Sequence, residues 1–274
     1  MTSSAPLISV VIPTIAYDEY CSQSIKSVCE QNYENWQIVL VLDGAPIKDV
    51  PQWVKEHERI KIVEQKIRQG TPTSLNNGIK ASDGQLIARL DSDDLAAPSR
   101  LSKQEEFLRN HPYIICVATK TKHINEHGKI FGQSADLPTS QDIRQILLVK
   151  NPIIHSSVMY RKQVVEQIGG YSLEMTRSQD YELFLRLSKI GAIGYLDESL
   201  SSYRIHGGQH SRKTSPFKKY TWIILKRRME LASFLKRSPV RQIFLNFIWY
   251  GAQVTRYLGL RKAGFMTGYT PDRI

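Results

Sequence analysis

Short apolar runs alternate with amphipathic segments through the first half of the chain. Continuously apolar runs predict strands buried on both faces, at residues 7–12, 36–42, 60–63, 86–90 and 114–119. Between them, segments such as 18–31 and 73–81 carry apolar residues at helical spacing. Strand, helix and strand in this order predict parallel pairing with right-handed crossovers. We therefore expect an α/β fold with a doubly wound, mostly parallel sheet flanked by helices.

The pattern changes beyond about residue 132. It predicts helices at residues 141–149, 164–168 and 179–190, and short strands at residues 155–160, 193–196 and 201–205. Two further helices are predicted at 221–235 and 243–260. We expect one domain over residues 1–212, with a nucleotide-binding half (7–131) and an acceptor half (132–212), followed by a helical tail over residues 213–274.

Three carboxylates follow the apolar run at 86–90 within four positions, at Asp91, Asp93 and Asp94. Open α/β sheets bind ligands outside the carboxyl ends of their strands, so this is a candidate ligand site. If the backbone stays extended, Asp91 and Asp93 face one side and Asp94 the other. Neighbouring carboxylates repel, and a divalent cation such as Mg²⁺ or Mn²⁺ relieves that repulsion. The alternative is an acidic turn that caps the helix starting near Pro98.

Charge is distributed unevenly along the chain, whose net charge is +11. Residues 211–274 carry 14 Lys and Arg against 2 acids, whereas residues 1–210 carry 23 against 24. The predicted tail helices combine these basic residues with aromatic ones, a composition typical of helices that lie on anionic membrane surfaces. Packing of the tail on the body or on a second subunit is the open alternative.

Several classes of protein are disfavoured. Cys21, Cys29 and Cys116 have no metal-ligand spacing and fit a reducing compartment. The first residues lack a signal-peptide pattern, and no apolar stretch reaches the roughly 18 residues of a spanning helix. We expect a cytoplasmic protein, with any membrane contact peripheral and on the inner face of the cell membrane.

Six short motifs in register resemble those of family 2 glycosyltransferases. They are ISVVIPT (8–14), LDG (42–44), LDSDD (90–94), GGY (169–171), QDYELFLRL (179–187) and YRIH (203–206). The resemblance covers residues 7 to about 212. It implies a GT-A fold and an inverting, metal-dependent enzyme that uses nucleotide-diphospho-sugars. It further implies a glycan or lipid-linked glycan acceptor in cell-surface polysaccharide synthesis, with a UDP-sugar as the favoured donor.

The resemblance also assigns roles to individual residues. Asp91, Ser92 and Asp93 match the DXD motif, in which the first acid meets the donor ribose and the last binds the metal, Mn²⁺ or Mg²⁺. Asp91 is a second candidate metal ligand, and His206 matches a further metal or phosphate contact. The remaining donor-binding matches are Pro13, Thr14, Asp43 and Asn76.

Asp180 matches the family's catalytic base. In-line attack by an acceptor hydroxyl requires a proton acceptor on the far side of the anomeric carbon, and a carboxylate can fill that role. The preceding position, usually Glu, is Gln179 here. The helix dipole also favours an acid in the first turn of a helix, which is the structural alternative for Asp180. His155 is expected to support the acceptor side or the sheet.

Two other functions fit parts of the pattern. A nucleotidyltransferase also joins a doubly wound sheet to metal-binding acids, but it usually has a glycine- and lysine-rich loop after the first strand, and residues 14–17 contain neither. A non-catalytic protein with a decayed site could bind a membrane or nucleic acid through its tail. The intact Asp91, Asp93 and Asp180 argue against decay, and nucleic acid is the less favoured partner.

Overall fold

The computed structural model describes residues 5–137, 142–207 and 215–259. Within these ranges nine strands form one mixed sheet. The strands are β1 (Ile8–Thr14), β2 (Trp36–Asp43), β3 (Ile60–Gln65), β4 (Leu86–Arg89), β5 (Leu95–Ala96), β6 (Ile114–Ile124), β7 (Ile130–Gln133), β8 (Met159–Arg161) and β9 (Ala192–Arg204). Their order is β3-β2-β1-β4-β8-β6-β9-β5, and β7 pairs with β6 at one side.

Nine α-helices are found in the described residues. They are α1 (Glu19–Cys29), α2 (Gln52–Lys55), α3 (Thr71–Ala81), α4 (Arg100–Asn110), α5 (Arg144–Leu147), α6 (Lys162–Gln167), α7 (Gln179–Leu187), α8 (Lys219–Phe234) and α9 (Pro239–Tyr257). Short 3-10 turns occupy Ile47–Asp49 and His155–Ser157. The segment predicted as a strand at 155–160 is thus a 3-10 turn followed by β8.

The amino-terminal half of the sheet is parallel, as predicted. β1 pairs in parallel with β2 and β4, and β2 pairs in parallel with β3. Side chains of β1 alternate between two cores. Val11 belongs to the core that includes residues of α3, α7 and α8, whereas Val10 and Ile12 belong to the core that includes residues of α1 and α4. Both faces of the strand are therefore buried, which is why its sequence is continuously apolar.

One long strand replaces the two short strands predicted at 193–196 and 201–205. β9 runs beside β6 in parallel. The register shifts at Ile114/Cys116, where β6 has an extra residue, and on both sides of Lys120, where β9 has the extra residues. Asp197 and Glu198 interrupt the apolar pattern because they are exposed, yet the backbone continues through them as strand. The irregular register absorbs the mismatch between the two strands.

Helix α8 of the tail packs on the body of the protein. Ile224, Leu231 and Ala232 of α8 belong to the same apolar core as α7, so this helix packs on the body. The two helices of the tail also pack on each other. None of the helices in the described ranges is long and apolar enough to cross a membrane. The predicted boundary between residues 212 and 213 lies outside the described residues.

Candidate active site

The three carboxylates after β4 lie on a tight turn. Asp94 donates its backbone N–H to the Asp91 carbonyl over 3.1 Å, so the expectation of an extended backbone is wrong. The turn nevertheless separates the carboxylates as expected, because Asp94 is completely buried whereas Asp91 and Asp93 are partly exposed. Asp94 Oδ1 accepts a 2.8 Å hydrogen bond from the backbone N–H of Arg204. Burial, with the nearby charges of Asp93 and Asp91, holds the pKa of Asp94 well above its ordinary value.

Asp91 is held by groups on two other parts of the chain. One carboxylate oxygen pairs with the Arg89 guanidinium, and the other accepts a 2.7 Å hydrogen bond from the Ser156 hydroxyl. Ser156 Oγ in turn accepts the Asp91 backbone N–H over 3.0 Å. Burial by itself raises the pKa of Asp91, but the Arg89 charge and these hydrogen bonds outweigh it and leave the pKa below the ordinary value. Asp91 is therefore a fixed anion.

Asp93 pairs with His206 at the same turn. His206 Nε2 lies 3.0 Å from Asp93 Oδ2, and both side chains are partly exposed. Burial and the charge of Asp91 raise the pKa of Asp93, while His206 opposes the rise. β5 pairs antiparallel with β9 just after the turn, and this pairing brings His206, two residues beyond β9, to Asp93.

Arg204 anchors the turn from the end of β9. Its side chain is almost fully buried and donates to the Asp93 carbonyl and to Gln23 Oε1, each over 2.8 Å. Its guanidinium also lies 4.5 Å from the ring centre of Tyr20. The sequence motif that includes His206 also contains Arg204, but its structural role was not predicted.

Asp180 lies in the first turn of α7, as predicted. Its Oδ2 accepts a 2.9 Å hydrogen bond from Asn151 Nδ2. Ser178, which precedes the helix, has a left-handed backbone with φ of 53°, a costly conformation for a residue with a side chain. Burial raises the pKa of Asp180, and the charge of Asp91 adds to the rise. The predicted base and the predicted DXD acid are thus close enough to interact electrostatically.

The remaining donor-site predictions fall into two groups. Pro13 and Thr14 end β1 beside the end of β2, where Asp43 accepts the backbone N–H groups of Gln69 and Gly70 over 2.6 and 2.9 Å. Asp43 therefore orders the loop that leads into α3.

Ser92 sits within the turn beside Asp91 and Asp93, so it lies with the predicted metal ligands. Asn76 differs, because its amide is bonded to both backbone groups of Tyr171, each over 2.8 Å. Its visible role is to join α3 to the loop after Gly170.

His155 is hydrogen-bonded, and its imidazole does not change charge near neutral pH. Its Nε2 lies 2.7 Å from the Tyr171 hydroxyl, and burial lowers the pKa of His155 to about 3. The imidazole is therefore neutral at physiological pH and is excluded as a base that titrates near neutrality.

The described side chains do not by themselves form a metal site. Among residues 5–137, 142–207 and 215–259, no group of three or more His, Cys, Asp or Glu side chains is arranged to hold a metal ion. Asp93 and His206 form a pair, and a cation bound there needs further ligands from substrate or water.

Comparisons with known proteins agree with this architecture. A crystal structure of S. aureus TarS in complex with UDP-GlcNAc superposes with a TM-score of 0.67, covering 94% of this chain and 74% of that one at 16% identity. The shared fold is a mostly parallel, GT-A-like α/β sheet flanked by helices, which confirms the predicted fold class.

Sequence comparison identifies the family. The family model for glycosyl transferase family 2 matches residues 9–169. The chain belongs to this family and is a glycosyltransferase. The Escherichia coli O-antigen biosynthesis glycosyltransferase WbnJ is 32% identical over 207 residues, covering 73% of this chain and 80% of that protein. The Erwinia amylovora amylovoran biosynthesis glycosyltransferase AmsE is 31% identical over 179 residues, covering 63% and 65% respectively.

Proposed function

We propose that this protein transfers a sugar, with inversion, from a UDP-sugar to a hydroxyl group of a glycan or lipid-linked glycan in cell-surface polysaccharide synthesis. The observation that carries the proposal is that two carboxylates are each held in place by a hydrogen-bond donor, Asp91 by Arg89 and Ser156 and Asp180 by Asn151. One is a fixed anion beside Asp93 and His206, and the other has a raised pKa.

The donor and acceptor classes draw support from the similar proteins. TarS, which shares the fold, was crystallised with UDP-GlcNAc. WbnJ and AmsE are named for the biosynthesis of O-antigen and amylovoran, respectively. Asp43, Pro13 and Thr14 lie together at adjacent strand ends, where open α/β sheets bind nucleotides.

Asp180 acts as general base in this proposal. Its carboxylate accepts the proton of the acceptor hydroxyl while the oxygen bonds to the anomeric carbon and the bond from that carbon to the diphosphate breaks. The electron pair leaves with the nucleoside diphosphate. In-line attack inverts the anomeric configuration. Burial suits Asp180 to this role because its raised pKa makes the carboxylate a stronger base.

A divalent cation, Mn²⁺ or Mg²⁺, fits the residues at the turn. Asp93 has a raised pKa because it is buried beside Asp91, so its carboxylate favours a compensating positive charge. Asp93 and His206 would hold the cation, with Asp91 beside them, and the diphosphate and water would complete its oxygen ligands. When bound, the cation neutralises charge on the departing diphosphate.

Thermal unfolding tests the donor site. Wild type is measured with UDP, GDP, dTDP, ADP and CDP, each with and without Mn²⁺ or Mg²⁺. A ligand at 100 times its dissociation constant stabilises the fold by about 2.7 kcal/mol, a shift of a few degrees. We expect the largest shift with UDP and metal, its loss in Asp93→Ala, and its retention in Asp49→Ala, which removes an exposed acid. The absence of a shift with every nucleotide would contradict the proposal.

The base and the stereochemistry are tested separately. Asp180→Asn should keep the UDP shift but lose about 10²–10⁴-fold in transfer rate. Without acceptor, water can slowly hydrolyse a UDP-α-sugar in the site. Proton NMR of this reaction should show the β-anomer of the free sugar first. Release of the α-anomer would refute inversion while leaving the donor assignment intact.

A further inference from the structure

Helix α9 has an apolar face that the rest of the described chain leaves uncovered. Five side chains at positions i, i+3, i+4, i+7 and i+8 are between 51 and 77% exposed: Val240, Ile243, Phe244, Phe247 and Ile248. We refer to them as the α9 apolar face. The other side of the helix is occupied, because Gln242 and Ala252 are buried there. A helix that is already packed on one side has no internal need for a second apolar side.

Two further exposed aromatic side chains lie against tyrosines of α9. Trp222 of α8 is 58% exposed, and its ring centre lies 5.7 Å from that of Tyr250. Phe217 is 60% exposed, and its ring centre lies 5.9 Å from that of Tyr257. Exposed apolar clusters of this kind mark interaction sites.

Basic side chains lie on α8 and near the amino-terminal end of α9, where the apolar face begins. They are Lys226, Lys236, Arg237 and Arg241, all exposed and without an acidic partner in the part of the chain that the structure describes. We refer to them as the basic rim. Residues 215–259 contain one acid, Glu230, and it is already paired with Arg227 and Lys189. The surface is therefore apolar at its centre and positively charged at its edge.

We propose that the α9 apolar face and the basic rim dock the protein on an anionic lipid bilayer. Aromatic and aliphatic side chains would enter the boundary between headgroups and acyl chains, while the basic rim contacts anionic headgroups. A second copy is a poorer occupant, because a symmetric dimer would bring the two basic rims together. Nucleic acid complements the charge but leaves the apolar face exposed to water.

The docking surface is joined to the candidate active site through packed residues. The Trp249 ring lies 6.4 Å from the ring of Tyr181, which follows Asp180. Arg228 and Gln242 both donate to the Leu148 carbonyl, each over 3.1 Å, three residues before Asn151. If Asp180 is the base, as in the proposed function, docking would hold the site close to an acceptor carried by the membrane.

Vesicle binding of the full chain tests the proposal without donor or acceptor, so its outcome is independent of the proposed function. Flotation is measured with phosphatidylcholine vesicles with and without phosphatidylglycerol. We expect binding to the anionic vesicles that weakens with added salt. Phe244→Ser combined with Phe247→Ser should weaken it by about tenfold or more. Neutralising Lys236, Arg237 and Arg241 with Gln should weaken it by about fivefold per charge.

Matched variants control for the loss of exposed side chains elsewhere. The apolar control combines Ile47→Ser with Ile130→Ser, and the charge control combines Lys48→Gln, Lys55→Gln and Lys129→Gln, all at exposed positions. Both should bind anionic vesicles as tightly as wild type. The charge variant keeps the proposal testable should the aromatic variant fold poorly.

Three results would overturn the proposal. The first is a wild-type protein that does not bind anionic vesicles. The second is undiminished binding by both the aromatic and the charge variants. The third is a wild-type dimer, detected by sedimentation velocity, that the aromatic variant converts to monomer, which would show that a second copy covers the α9 apolar face.

Discussion

Asn151 offers a direct way to perturb the proposed base without replacing it. Its Nδ2 donates to Asp180 Oδ2 over 2.9 Å, and its Oδ1 accepts the Ile153 backbone N–H over 3.2 Å. The hydrogen bond to the carboxylate favours the charged form of Asp180 and so lowers a pKa that burial raises. Asn151→Ala should therefore raise the pKa of Asp180 further.

The magnitude follows from the strength of that bond. A hydrogen bond to a charged group contributes about 1.5–3 kcal/mol. Asp180 is partly exposed, so the lower value of about 1.5 kcal/mol applies, and this is about tenfold in an equilibrium constant. A base works only when deprotonated, so activity falls as pH drops through its pKa. In the acidic range Asn151→Ala should have about one tenth of the wild-type kcat/KM, and at high pH the two should agree.

The measurement is the pH profile of kcat/KM, with the rate determined from the release of the nucleoside diphosphate. Asn110→Ala, which removes an exposed asparagine at the end of α4, serves as the matched control and should follow the wild-type profile. An equal loss at every pH would show that Asn151 acts on positioning rather than on the Asp180 pKa. An acid limb that does not move would refute the reasoning.

Three further predictions concern the fold and the donor site. Gly84→Ala should destabilise the protein by about 1–3 kcal/mol in urea unfolding, because the new Cβ would lie 2.6 Å from a backbone oxygen. Gly251→Ala should stabilise it by about 0.5–1 kcal/mol, because this helical position has open space around it. Equal effects of the two variants would contradict the packing. Ser156→Ala should weaken UDP binding about tenfold by calorimetry, since it removes a hydrogen bond to the Asp91 carboxylate of about 1.5 kcal/mol. Unchanged affinity would separate that bond from the donor site. Arg204→Met should cost about 2–4 kcal/mol of unfolding free energy, because it leaves the Asp93 carbonyl and Gln23 Oε1 without their donor. A loss below about 1 kcal/mol would contradict its anchoring role.

The early part of the fold was predictable because its local pattern and its tertiary role agree. β1 and β2 are buried on both faces, and a continuous apolar run is the direct signature of such strands. In helix α7, apolar residues at helical spacing, such as Leu183 and Leu187, correctly placed Asp180 in the first turn. The prediction of two strands at 193–196 and 201–205 failed because β9 continues through exposed residues. Asp197 and Glu198 are exposed and interrupt the apolar pattern, although the backbone there is strand.

The sequence by itself determined the family, the parallel half of the sheet and the candidate acids, because motif order and apolar periodicity are local properties of the chain. Apart from Arg89, which lies two positions before Asp91, the partners that hold those acids were decided by tertiary structure. Ser156 is 65 positions from Asp91, and the Arg204 side chain is 111 positions from the carbonyl of Asp93. No periodicity links residues so far apart. Only the pairing of β4 with β8 and of β5 with β9 brings them together, and it thereby holds Asp91 and the turn in place.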